Sequence, residues 1–219
     1  MIRRRLPAVF ALAAAAVLPA VAWAGTTDVR TLTADVSAAG ADLVSIEAPV
    51  GEFRVEGAAT STVAVRVAVR CEKPVKPECR RRAAGIELAA GADGDRIVVD
   101  LRGWPKGGNA GLSLSLHVTM PRDLPLAGEF GVGELDVRGL EAGARLELGV
   151  GEMNVELPAD SIRRADLEVG VGEASLLVGG RRIEGKGFLG REIDWTSGRG
   201  RHVVDAEVGV GEIEVRLVD

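Results

Sequence analysis

The sequence predicts an all-β protein: a β-solenoid or β-roll of roughly 20-residue Gly-x-Gly-Glu repeats, continuous with a more sandwich-like N-terminal part. Three observations carry this expectation. Val, Leu and Ile recur at alternate positions, the period of a strand and not of a helix. Gly is abundant, at 29 of 219 residues, which suits closely spaced turns. A short motif also recurs: Gly131-Val-Gly-Glu134-Leu-Asp-Val137, Gly149-Val-Gly-Glu152-Met-Asn-Val155, Gly170-Val-Gly-Glu173-Ala-Ser-Leu176 and Gly209-Val-Gly-Glu212-Ile-Glu-Val215. Its glutamates are 18, 21 and 39 residues apart, and a fixed period of this length marks a stacked array.

The chain begins with Arg3, Arg4 and Arg5, followed by an uncharged apolar run from Leu6 to Val21 and by Ala22-Trp23-Ala24. A basic start, an apolar middle and an A-x-A end predict a secretory signal peptide over 1–24. The run is short for a retained membrane anchor. No Cys follows the cleavage point, which argues against a lipoprotein. Export to the periplasm or cell surface is the expected address. The three leader arginines leave 24 basic against 32 acidic residues over 25–219, a formal charge of −8. That balance supports solubility and excludes nonspecific nucleic-acid binding. No second long apolar run occurs, so no transmembrane helix is expected after the leader.

Residues 25–120 form the expected N-terminal β-rich part. Short strands are predicted over Leu43–Ile46, Glu52–Glu56, Thr62–Arg70, Gly85–Ala89, Arg96–Leu101 and Leu112–Met120. In the third, Val63, Val65, Val67 and Val69 share one face, and Thr62, Arg66 and Arg70 lie on the other. Gly91–Gly94 reads as a turn and Trp104–Asn109 as a loop. Cys71 and Cys79 are an even, close pair in an exported chain and predict a structural disulfide. Closing that nine-residue loop is worth about 2.6 kcal/mol in the chain-entropy model. A redox pair would ordinarily be spaced C-x-x-C.

Pro121 and Pro125 mark the boundary to the repeat part, 121–219. In one repeat Leu146, Leu148 and Val150 are expected to point inward, then Met153, Val155 and Leu157. The three-residue step at Gly151-Glu152 predicts a bulge or corner there. Pro158–Ser161 is a looser turn. Gly190-Arg-Glu192-Ile-Asp-Trp195 reads as a degraded copy, and Pro49-Val-Gly-Glu52-Phe-Arg-Val55 as an early relative. One such unit cannot bury its apolar row alone, whereas stacked units can. An antiparallel sandwich throughout is the alternative.

On the export signal, the Val50–Val55 segment and the Gly-x-Gly-Glu repeats, the chain resembles the bacterial "putative adhesin" family of exported domains of unknown function. That family is related to the β-rich C-terminal domain of cell-wall-active-antibiotic-response proteins. The resemblance implies a β-solenoid-like fold at the envelope and brings no catalytic residues.

Gly133, Glu134, Gly151, Glu152, Gly172, Glu173, Gly211 and Glu212 are therefore read as a structural ladder of turns. Two unit charges one strand apart repel by about 0.9 kcal/mol in water, so something must relieve the row. A calcium site needs several converging oxygens, and the motif supplies one carboxylate per repeat. His117 and His202 have no partner at zinc spacing. There is no Gly-x-Ser-x-Gly elbow. Gly180–Gly187 lacks the final Ser or Thr of a phosphate loop. No cofactor is implied.

Arg70, Lys73, Lys76, Arg80, Arg81 and Arg82 form a basic cluster suited to anionic envelope surfaces. The C-terminal strand, Glu212–Val218, reads as an open edge that invites pairing with a second copy. The expected function is a non-enzymatic envelope protein, a rigid binding or scaffolding module for an envelope protein or glycan. The alternatives are a carbohydrate-active enzyme using stacked carboxylates and a sensor of anionic surfaces.

Overall fold

The computed structural model describes residues 25–105, 111–187, 190–197 and 199–219. The expected signal peptide lies outside them, as do residues 106–109 of the expected loop. In chain order the elements are β1 (Thr26–Ser37), β2 (Leu43–Ala58), β3 (Thr62–Glu72), α1 (Pro77–Ala84), β4 (Glu87–Asp93), β5 (Arg96–Arg102) and β6 (Leu112–Pro121). They continue with β7 (Leu126–Arg138), β8 (Ala144–Pro158), β9 (Ile162–Val178), β10 (Arg181–Glu184), β11 (Arg191–Thr196) and β12 (His202–Val218).

The chain is nearly all β, and its strands belong to one large mixed sheet. Five long strands form its centre, in the order β2-β7-β8-β12-β9. Every neighbouring pair is parallel and keeps the motif in register: Glu52 faces Glu134, then Glu152, Glu212 and Glu173. The bends thus line up. Each long strand has a first arm before the bend and a second arm after it. The arms enclose one core, in which Leu146, Leu148, Met153, Val155 and Leu157 of β8 are all buried. Phe53 on the second arm of β2 meets Phe130 on the first arm of β7 at 4.8 Å between ring centroids. Burying one such large side chain contributes roughly 1.5–3 kcal/mol.

Close approach of neighbouring backbones explains the glycines. A Cβ at Gly151 would lie 1.7 Å from the carbonyl oxygen of Gly133, and one at Gly211 would lie 1.8 Å from that of Gly151. Their φ angles, +142° and +144°, lie where L side chains are strained.

The N-terminal strands extend the same sheet. β5 pairs parallel with the first arm of β2 and β6 with its second arm. Antiparallel strands then close this end: β4 on β5, β3 on β6 and β1 on β3. At the other end β11 and β10 lie antiparallel on the first and second arms of β9. β2 is hydrogen-bonded to β7 across the Pro121–Pro125 boundary. Val63, Val65, Val67 and Val69 are buried as the alternation of β3 requires.

Several expectations are corrected. Val150 is not inward: it is 44 % exposed. The corner takes four residues, Gly149 to Glu152, so the inward sequence steps from Leu148 to Met153. The repeats do not stack in chain order, because β12 enters between β8 and β9. The C-terminal strand is consequently no edge: it is paired along both sides, which removes the motive for dimerisation through it. The segment Gly190–Trp195 is no bend. It runs antiparallel, with Glu192 opposite Glu168. Arg191 stands where the aligned repeat has Gly211, and a side chain there would collide with the neighbouring backbone. Leu43–Ile46 and Glu52–Glu56 are two arms of one strand, and β1 had no counterpart among the expected strands. The Cys71–Cys79 disulfide is present, with 6.1 Å between Cα atoms, but the last three residues of its loop, Pro77 to Cys79, are helical. Helix α1 begins at Pro77, with Glu78 in its first turn and Arg81 and Arg82 in its last, all of which favour a helix.

Candidate functional site

The register of the five long strands turns single motif residues into rows. At the bend run Glu52, Glu134, Glu152, Glu212 and Glu173, about 4.8 Å apart. Beside them run Val132, Val150, Val210 and Val171, which are paired in register and are 43, 44, 47 and 55 % exposed. Valines elsewhere in these strands are largely buried, so the row is an apolar ridge. Glycine on each side leaves it unshielded. A third row lies on the outer face of the first arms: Glu47, Glu129, Glu147, Glu207 and Glu168, continued by Glu192 on β11. The ridge therefore stands between two rows of carboxylates.

Neutralisation of these rows is sparse. Arg70 donates to Glu52 at 2.8 Å and to Asp28 at 3.1 Å, and its own pKa is raised by these two carboxylates against the opposing effect of burial. Among the described residues, Glu134, Glu152, Glu212 and Glu173 enter no ion pair. Burial, then the charges of Asp136, Glu152 and Glu52, push the Glu134 carboxyl above its ordinary range, and Arg54 opposes them. The row thus retains its mutual repulsion. Among the described residues no group of three or more His, Cys, Asp or Glu is placed to hold a metal.

The basic cluster is divided by the fold. Arg70 is committed to the bend row, and Arg82 pairs with Glu78 at 2.7 Å. Lys76, Arg80 and Arg81 are exposed around α1, and Lys73 sits near Gly25. His117 lies 3.4 Å from Glu56. The Gly180–Gly187 segment contains a strand, and its Arg182 donates to Ser175 at 2.9 Å and to Glu214 at 2.5 Å.

Sequence reasoning missed the ridge and the first-arm glutamates. Their signal was present: Glu129, Glu147, Glu168 and Glu207 each stand two residues before the motif. The repeat is Glu-x-Gly-Val-Gly-Glu, with an acid on each side of one valine.

Fold and surface together define a class: an all-β protein of parallel, bent strands presenting repeated rows along one edge. No family model matches the chain, and no curated protein does. It is similar to a solved structure described as a "putative cell adhesion protein" from Clostridium sporogenes. The identity is 15 %, over 86 % of this chain and 99 % of that one, with a TM-score of 0.54. That likeness shows the fold. A structure described as a "putative lipid binding protein" from Parabacteroides distasonis matches at 12 % identity, over 84 % of this chain and 65 % of that one, with a TM-score of 0.29.

Proposed function

We propose that the chain is a non-enzymatic, exported envelope protein acting as a rigid, solenoid-like binding or scaffolding module, with the bend edge as its contact surface. One observation carries this reading: four half-exposed valines stand in register between two rows of glutamates. Contiguous exposed apolar surface rimmed by charge is the ordinary mark of an interaction site. The carboxylates repeat from strand to strand in the same setting, which suits display along an edge better than a single reaction centre. The leader-like residues 1–24 and the disulfide support the envelope address. The adhesion description of the Clostridium sporogenes protein agrees with such a role.

Photo-crosslinking residues placed at Val150 and Val210 in the exported protein test this. Both are expected to capture the same envelope component, and a crosslinker at Arg216 on the second arm is expected not to. Identical background from all three positions would remove the reading.

A further inference from the structure

Where β5 parts from β2, the outer face of the first arms holds a cleft of about 570 Å³. Pairing between these strands ends at Ile46 and Val99, so Glu47, Ala48 and Pro49 lose their neighbour on that side. The diverging chain, from Asp100 to Trp104, forms the far wall. Pro49 and Trp104 give the cleft its apolar wall, with the buried Leu101, Phe130 and Leu148 behind it, and Gly131 and Gly149 leave its floor bare of side chains. Its rim carries Glu47, Glu129, Glu147 and Glu207, none of them in an ion pair among the described residues. Asp100 also lines it and is shared with Arg102 at 3.5 Å. Among the described residues no Lys or Arg lines the cleft.

We propose that this cleft binds a linear aliphatic polyamine, which deepens the reading above because its rim belongs to one of the two glutamate rows beside the valine ridge. An apolar channel edged by unpaired carboxylates matches a partner that is apolar along its length and positive at intervals. The rim glutamates stand on adjacent strands, about 4.8 Å apart. Two ammonium groups joined by three methylenes are separated by four single bonds of about 1.5 Å each, or about 5 Å end to end. The methylenes lie on Pro49 and the glycine floor, the ammoniums meet successive glutamates, and the terminal cation reaches the indole of Trp104. A compact divalent ion uses neither the apolar wall nor the ring, and it prefers oxygens converging on one point.

Calorimetric titration of the protein over residues 25–219 with spermidine, with Mg²⁺ and with a trilysine peptide tests this. Saturable spermidine binding is expected, accompanied by a change in Trp104 fluorescence in a Trp195→Phe background. Replacing Glu129 and Glu147 together by Gln is expected to weaken it about tenfold or more through loss of two charge-assisted hydrogen bonds. Glu156→Gln, on the second arm, is expected to leave it unchanged. The double variant removes like charges, so folding is preserved, and its circular dichroism spectrum verifies this. Three results overturn the assignment: no saturable binding, displacement by Mg²⁺ at equal ionic strength, or equal weakening by Glu156→Gln. Binding of trilysine but not spermidine also overturns it and returns the cleft to a protein partner. Capture of an envelope component at Val150 and Val210 without spermidine binding would overturn the polyamine assignment alone, and spermidine binding without such capture would overturn the contact reading alone.

Discussion

Across the second arms of β2, β7, β8 and β12, the outward residues Glu56, Arg138, Glu156 and Arg216 follow one another in register. Four residues earlier on the same strands stand Glu52, Glu134, Glu152 and Glu212. The spacing is the same in both rows. The arm row alternates in sign, and its neighbour adds pairs such as Arg138–Asp136 at 3.3 Å, Arg54–Asp136 at 3.5 Å and Arg216–Glu214. Opposite charges facing across strands contribute roughly 0.2–1 kcal/mol per pair, and like charges cost similar amounts. The chain therefore uses compensation on the arm and forgoes it at the bend. An edge held at a cost to stability, with exposed valines beside it, supports the contact role proposed above.

The comparison breaks most directly at the glycines. Gly151→Ala places a Cβ against the Gly133 carbonyl and is expected to lose about 3–5 kcal/mol, combining backbone strain with overpacking. Gly91→Ala, with open space around it, is expected to change stability by less than about 1 kcal/mol. Urea denaturation of the pair measures the difference, and equal effects would mean that the bends do not depend on bare backbone. Replacing Cys71 and Cys79 together by Ala is expected to cost about 2–3 kcal/mol. Because α1 clamps the end from which Arg70 reaches Glu52, the loss should be accompanied by faster hydrogen exchange in β3 and not in β12.

Charge reversals sharpen the contrast. Arg216→Glu is expected to destabilise by about 1 kcal/mol, since it sets a second acid beside Glu156 and removes the partner of Glu214. Glu152→Lys is expected to stabilise by up to about 1 kcal/mol by giving Glu134 and Glu212 an opposite neighbour. Both shifts should shrink in high salt, and thermal melts at two ionic strengths read them. If both substitutions move the melting temperature the same way, the rows do not differ.

The smallest effect is one of pH. The Glu134 carboxyl is raised in the fold, so its charged form is disfavoured there. Its penalty is fully present above the folded pKa, is relieved as pH falls through that value, and is absent below the unfolded one. Glu134→Gln should therefore be the more stable protein at neutral pH, by less than about 1 kcal/mol for so exposed a group. Its advantage should vanish on acidification, and a constant offset in melting temperature from pH 7 to pH 4 would contradict this.

Much of the bend was legible beforehand. Four copies of Gly-x-Gly-Glu showed that a corner recurs, and alternation around Leu146 and Val155 showed most of what each arm buries. Val150 was misread because alternation was carried straight into the corner, where the interior has already turned away. The position of β12 was not legible, since the repeats of β8, β9 and β12 are nearly interchangeable and local sequence does not say which pairs with which. Arg191 held the one clue that the segment before β12 is no bend. The Trp104 cleft arises from the parting of β5 and β2, a matter of where two strands stop pairing, and no motif records that.

The late entry of β12 has a consequence for how the chain matures. Without residues 202–218, the edges of β8 and β9 that pair with β12 would each carry a row of unmet amide donors and acceptors. Molecules cut short before that point would carry these edges open, templates for any extended segment nearby. Pairing with β12 on both sides removes these two edges as templates for strand addition.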